Sequence, residues 1–267
     1  LDIWNTSRFE TGALAHELTY GGDWVNDDMK SGRASGGSDV YTPSGKRTVG
    51  GLYIQDKLTW EWLEIVGALR YDTYRLDSDT EKVTGDRFSP RITVGVSPFQ
   101  EGTFQGLQFY GTYAEGYRSP TITETLMSGM HPSGVTFPFL PNPNLKPETA
   151  KTWEFGVNYR ADSLMQANDA LRLKAAYFHN DIDDYIKGNK DIAAGDPGCP
   201  FIPGLPFPGP GTPGYVPACF QYQNYANAKI QGVELEGMYE ADWGYLGLSA
   251  SFINGHTVSY DGKREDL

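Results

Sequence analysis

In stretch after stretch of this chain, apolar and polar residues alternate one for one over about ten positions. Leu171, Leu173, Ala175 and Tyr177 fall on one face, and Arg172 and Lys174 on the other. Trp153, Phe155, Val157 and Tyr159 alternate with Thr152, Glu154, Gly156, Asn158 and Arg160. Val233, Leu235, Gly237 and Tyr239 alternate with Glu234, Glu236 and Glu240, and Leu63, Ile65, Gly67, Leu69 and Tyr71 with Glu64, Val66, Ala68, Arg70 and Asp72. A period of two places successive side chains on opposite faces of an extended strand, so each run reads as a strand with one apolar face. About ten are expected: 1–9, 15–26, 47–58, 60–72, 87–98, 106–117, 148–160, 169–182, 222–240 and 243–257. No long segment carries a helical period, and the fold class is all-β.

The connections constrain the architecture further. Short links near 10–14, 59, 99–105, 161–168 and 241–242 alternate with longer ones at 27–46, 73–86, 118–147 and 183–221. An up-and-down antiparallel meander does this when one end carries tight turns and the other carries function, as in a transmembrane β-barrel. Greek-key crossovers of a sandwich would spoil the regularity, and loops this long are uncommon in a compact soluble domain. A soluble barrel or sandwich is the competing reading.

Composition first suggests a soluble protein. The 267 residues carry a net charge of −12, mean hydropathy is −0.47, and no run approaches a membrane helix of eighteen or so apolar residues. So acidic a chain lacks the basic face that nucleic acid demands. Yet 13% of residues are aromatic. Both facts fit a barrel whose strands show one face to lipid and the other to a polar lumen, with residues such as Tyr71, Tyr159 and Tyr239 in interfacial girdles. The opening LDIWNTSRFE has no signal-peptide pattern and the closing SYDGKREDL reads as mid-loop. The whole of 1–267 is therefore expected to be part of a longer barrel, since a partial one would leave open edges in lipid. Neither GxSxG, HExxH nor a phosphate-binding loop occurs, and no enzymatic activity is expected.

Proline and cysteine concentrate on the long-loop side. Of 17 prolines, eight lie between Pro197 and Pro217 and six between Pro120 and Pro147. The two cysteines, Cys199 and Cys219, enclose all but the first proline of the first cluster. A disulfide closing about twenty residues would stabilise by roughly 3 kcal/mol and suits an oxidising compartment. A metal pair lacks a nearby third ligand; two free thiols are the alternative.

The stretch YAEGYRSPTITETLMSGMHPSGVTFPFLPNPNLKPETAKTWEFGVNYR, from Tyr113 to Arg160, resembles the signature region of TonB-dependent outer-membrane receptors for haem. Tyr117, Arg118, Ser119 and Pro120 stand where that family has its FRAP box. Asn142, Pro143, Asn144 and Leu145 form its NPNL box, and His131 lies between the two. HELTYGGDW (16–24), GLYIQDKLTW (51–60), LRYDTY (69–74) and NYANAKIQGVELEGMY (224–239) are similar to the same superfamily. Within it the loop looks most like the haemophore-receptor type. The first box departs mildly, with Tyr for Phe and Ser for Ala.

The resemblance implies a barrel of roughly 22 strands, of which about ten are here, without the N-terminal plug domain. It implies a receptor in the outer membrane of a Gram-negative bacterium that imports haem, delivered by a haemophore or haemoprotein, using energy from the TonB complex reached through the N-terminal region. His131 is the candidate axial ligand to the haem iron. Tyr117, Arg118, Met127, Met130, Phe137 and Phe139 are candidates for the pocket, with Arg118 facing either a haem propionate or a neighbouring carboxylate. Tyr113 and Tyr117 are alternative phenolate ligands. His179 and His256 sit toward the long-loop ends of their strands, where either could face the vestibule, and His16 lies near a short turn, but for all three histidines an ordinary polar role is the favoured reading. A ferric-siderophore receptor, a passive porin and a secreted carbohydrate-binding β-protein are the rival readings.

Overall fold

The computed structural model describes residues 1–30, 43–78, 82–130, 138–192, 199, 219–260 and 262–267. Thirteen strands join one sheet. They are β1 (Asp2–Thr11), β2 (Leu14–Met29), β3 (Gly45–Trp60), β4 (Leu63–Asp77), β5 (Lys82–Val96), β6 (Leu107–Arg118), β7 (Gly129–Met130), β8 (Pro138–Leu140), β9 (Glu148–Asp162), β10 (Ala170–Ile192), β11 (Cys219–Ala241), β12 (Gly244–Val258) and β13 (Arg264–Asp266). One short helix, α1 (Ile122–Leu126), follows β6. The path runs β1 to β6 and then β9 to β13 in chain order, every neighbour antiparallel, while β7 and β8 pair with each other and β8 joins β11 in parallel.

The ten expected strands are all present, and several run further toward the long loops than alternation alone marked. β2 reaches Met29, and β4 and β5 leave only 78–81 between them. β10 and β11 have 23 residues each. Three short strands and α1 occupy stretches that read as loop. At the opposite end the links are tight: Gly12, with φ of 66°, turns β1 into β2 at a backbone angle that glycine adopts without a steric penalty.

Register fixes the two faces. Across β4 and β5 the outward rows are Leu63–Val96, Ile65–Val94, Gly67–Ile92, Leu69–Pro90 and Tyr71–Phe88. Above them come Thr73–Asp86, Arg75–Thr84 and Asp77–Lys82. The pattern recurs on β11 and β12, with Tyr239–Leu246, Gly237–Leu248, Leu235–Ala250 and Val233–Phe252 below Gln231–Asn254 and Lys229–His256. An apolar strip from Leu63 to Tyr71 has the nine or so residues that a tilted strand needs to cross the hydrocarbon layer. Aromatic pairs rim it: Tyr71–Phe88 and Tyr113–Trp153 at the upper edge, Trp60–Trp62, Phe99–Phe104 and Tyr239–Trp243 at the lower. Polar groups interrupt it on β1 to β3: His16 Nδ1 lies 2.9 Å from Asp56 Oδ2 and its ring stacks on Phe9, and on the same face Asn5 donates to Ser7 at 3.1 Å and to Tyr20 at 3.2 Å.

The inward face is polar and internally bonded. Arg70 bridges Asp23 and Asp72 at 2.7 Å each, Thr93 meets Thr112 at 2.9 Å, and Tyr110 donates to Glu154 at 2.5 Å. Lys174, Glu234 and Glu236 share this face by register.

The seam between β5 and β6 is incomplete. Pairing between β5 and β6 ends at Arg91–Ala114, and the next residue up β5 is Pro90, which has no amide to donate. Above that point side chains close the gap. Arg87 donates to Glu115 at 2.6 Å, and Tyr117 lies against Tyr74 with ring centroids 6.3 Å apart. Ser89 Oγ, Tyr117 Oη and Arg87 Nε are buried there without a hydrogen-bond partner among the described residues.

Candidate functional site

The site is assembled where β6 ends, above the apolar band. Arg118 clasps two carboxylates. Nε and Nη2 reach the two oxygens of Glu148 at 2.7 and 2.6 Å, and Nη1 reaches both oxygens of Glu124 at 3.0 Å. Glu148 is only 8% exposed and also accepts from the Ile186 amide at 2.8 Å. Bonding to Glu148, against the opposing effect of burial and with help from Glu124, raises the guanidinium pKa further, so the charge is permanent. Of the two partners open to Arg118 from sequence, the structure shows the neighbouring carboxylates.

The residues after Arg118 turn inward. Ser119 Oγ accepts from Arg47 at 2.6 Å and Pro120 is fully buried. Thr121 and Glu124 form a reciprocal capping box at the start of α1, the arrangement that Thr-x-x-Glu encodes. Ile122 and Leu126 pack on Leu76 and Val83, over the inner face of β4 and β5. The first box thus folds back into the mouth of the sheet.

The second box is tied to the first and to β11. The Asn142 amide donates to the Thr125 carbonyl at 2.8 Å, and its side chain donates to the Tyr222 carbonyl at 2.9 Å. Asn142 Oδ1 accepts from the Asn144 amide at 3.2 Å, a local turn that Asn side chains favour. Asn224 then bridges the chain, accepting from the Lys146 amide at 2.9 Å and donating to the carbonyls of Lys146 and Asp184. Leu145 is buried. The stretch between the boxes is therefore closed at its base, and β7 and β8 pair within it.

His131 and Phe137 lie outside the described residues. Met130 supplies backbone to β7. Met127 is the half-buried C-cap of α1. Phe139, also half-buried, meets Phe220 edge-on at 5.2 Å, and Phe220 meets Tyr222 in the same way at 5.2 Å. Behind them Cys199 and Cys219 form a disulfide, buried with Ile192 against Leu140; of the two alternatives for these cysteines, neither free thiols nor a metal pair is what the structure shows.

Other expectations are corrected. His179 and His256 do not face the vestibule: register puts both on the outward face, where His179 contacts Asp181 at 3.1 Å. Burial raises the Asp181 pKa, but Lys229 and His179 outweigh it and hold the carboxyl below its usual range. Tyr113 is likewise outward, against Trp153, and donates to Glu115 at 2.8 Å. Tyr117 sits in the seam beside Tyr74, and burial pushes its phenol up, which works against a phenolate ligand. Glu124, Glu148, Asn224, Phe220 and Tyr222 escaped the sequence reading. Glu124 had a local signal, the capping box in TITE, and Glu148 and Asn224 end or open stretches that carry the family resemblance (NPNLKPE and NYANAKIQGVELEGMY), but their roles, like those of Phe220 and Tyr222, depend on strand register.

An up-and-down sheet with a membrane-high apolar band, two aromatic rims and a polar inner face is the wall of a transmembrane β-barrel. Residues 2–266 match the family model described as TonB dependent receptor-like, beta-barrel. The chain belongs to that family. It is 32% identical over 262 residues to the hemin receptor of Yersinia enterocolitica, covering 94% of this chain and 35% of that protein. It is 31% identical to heme/hemopexin utilization protein C of Haemophilus influenzae, over 86% of this chain and 32% of that one. The chain thus spans about a third of the length of these curated relatives. Among solved structures it resembles the Serratia marcescens hemophore receptor HasR, in a complex with hemophore HasA and heme, with a TM-score of 0.75 and 26% identity, covering 97% of this chain and 41% of that one. The Neisseria meningitidis iron transporter FrpB, at 17% identity and a TM-score of 0.61, shares the fold.

Proposed function

We propose that this chain is part of the barrel of an outer-membrane receptor that binds haem at the cell surface and imports it with energy transmitted through TonB. The observation that carries this reading is 32% identity to a hemin receptor across 94% of the chain. The presence of a histidine between two boxes that are fastened to each other supports it. Haem is cargo, and the protein performs no covalent chemistry on it. It arrives free or on a haemophore or haemoprotein. His131 supplies one axial nitrogen to the iron, from a loop whose base is held by Arg118 and Asn142. The family's plug domain supplies what lies beneath, and its displacement releases the cargo inward.

The clasp explains how one loop serves both binding and release. Its stems are fixed by charge-assisted bonds, so the ligand-bearing residues lose little extra freedom on binding, while coordination by a neutral imidazole stays reversible. Titrating the full-length receptor with haem, followed by absorbance in the Soret region, tests the reading. Tight binding is expected for wild type, and His131→Ala is expected to weaken it at least about tenfold and alter the axial-ligand spectrum. A wild-type receptor that binds a ferric siderophore and leaves the haem spectrum unchanged would overturn the proposal.

A further inference from the structure

Resting on that reading, we infer that Phe220 and Tyr222, with Phe139, form the aromatic wall against which a flat, carboxylate-bearing macrocycle lies. Three observations converge. Tyr222 continues the even-numbered positions of β11 that face inward, since β11 keeps one register with β10 from Asn227 to Gln221. The register shifts beyond that point, and Phe220 is placed on the same face by its ring contact with Tyr222 and its position over Gly188. Their rings therefore look into the vestibule, on the same face as Glu234. Phe139 joins them through β8, which adds to the free upper edge of β11 by pairing Phe139 with Phe220. That places the wall at the foot of the loop that carries His131.

The rings pack edge to face, at interplanar angles of 73° and 88°. This geometry satisfies ring quadrupoles between neighbours. All three are half-buried. The Tyr222 hydroxyl has no hydrogen-bond partner among the described residues and stays available to donate to a carboxylate. Support behind the wall is rigid, with the Cys199–Cys219 disulfide immediately before Phe220 and Ile192 and Leu140 packed on it.

Gly188 is the third observation. A Cβ there would sit 2.5 Å from the Phe220 ring tip, so the ring lies across the neighbouring strand only because position 188 has no side chain. The wall thus combines a cluster of aromatic rings, a hydroxyl and a disulfide-linked backing, which suits a porphyrin with its propionates better than a polar iron chelate.

The test uses the full-length receptor in detergent, with haem and an apo-haemophore as separate probes. Phe220→Ala is expected to weaken haem binding about tenfold, and Tyr222→Phe a few-fold, with the apo-haemophore affinity unchanged. Gly188→Ala, which keeps every ring but displaces Phe220, is expected to weaken haem to a similar degree. Heat-modifiable mobility identical to wild type shows that each variant retains the barrel. If the variants lose apo-haemophore binding and bind haem normally, the wall is a carrier contact and the inference fails. Unchanged affinity for both probes also refutes it. Failure of the wild type to bind haem refutes instead the functional reading on which it rests.

Discussion

Arg118 shows how much of this mouth depends on single side chains. It neutralises Glu148 and Glu124 together, and Glu148 is the more deeply buried of the pair. Removing the cation strands a buried carboxylate; discounting for the half-exposed guanidinium, Arg118→Ala is expected to cost about 2 kcal/mol. Lysine keeps the charge but loses the two-pronged geometry, and is expected to recover only part of the loss. Thermal melting of the full-length receptor in detergent checks both. Asp169 plays the equivalent role at the tight-turn end. Its carboxylate accepts from the amides of Leu164, Met165 and Gln166 and from the Tyr239 hydroxyl. Burial favours the neutral acid, but these donors outweigh it and lower the pKa below its ordinary 3.8. A depressed folded value means that the contribution is complete above the unfolded pKa and disappears as pH falls through the folded one. Asp169→Asn is therefore expected to lower stability at neutral pH and to flatten its dependence on pH below about 4. Acid titration of the two proteins, followed by tryptophan fluorescence, tests this; an unchanged acid limb would refute it.

At the scale of the strand, the two faces make opposite demands. Leu248 is 72% exposed on the outward row and Ser249 is its inward neighbour. Leu248→Arg is expected to destabilise the folded barrel by about 2–4 kcal/mol, and Ser249→Arg to be tolerated. Urea unfolding in lipid vesicles separates them, and equal effects would invert the face assignment. The upper hairpin of β10 and β11 answers to different chemistry. Replacing both cysteines with serine is expected to remove roughly 3 kcal/mol of loop-closure stabilisation, readable as faster proteolysis between the two positions while the barrel persists.

These elements also show where sequence reading succeeds. Period-two strips such as Leu63–Tyr71 were legible because lipid and lumen impose opposite polarity on adjacent residues. The reading faltered above the membrane. There both faces meet water, alternation fades, and the upper third of β10 reads as loop. The height of His179 and His256 along their strands leaves a vestibule position open, and only register shows that both face outward. The Arg118 clasp and the Phe220 wall join residues 30 and 80 or so positions apart, and such pairings become visible only through register.

At the scale of the molecule, membership of the receptor family and the length of its relatives place this sheet within a larger barrel, with β1 and β13 at the ends of the stretch seen here. The full-length protein is expected to require detergent for extraction and to run as a heat-modifiable band. Within that cylinder the wall is not mechanically uniform. In the seams on either side, β4–β5 and β6–β9, neighbouring strands are laced by main-chain bonds along their whole paired length, and such ladders resist a change in circumference. Between β5 and β6, above Pro90, the lacing gives way to side chains: Arg87 of β5 pairs with Glu115, and Tyr117 of β6 reaches across to Tyr74 of β4. That line would need only a few side chains to repack, and no main-chain ladder to break, for the circumference to change. It is an expansion joint beside the box that ends in Arg118, and deuterium should enter the amides of Glu115–Tyr117 and Lys82–Ser89 that face it sooner than those of the laced seams on either side.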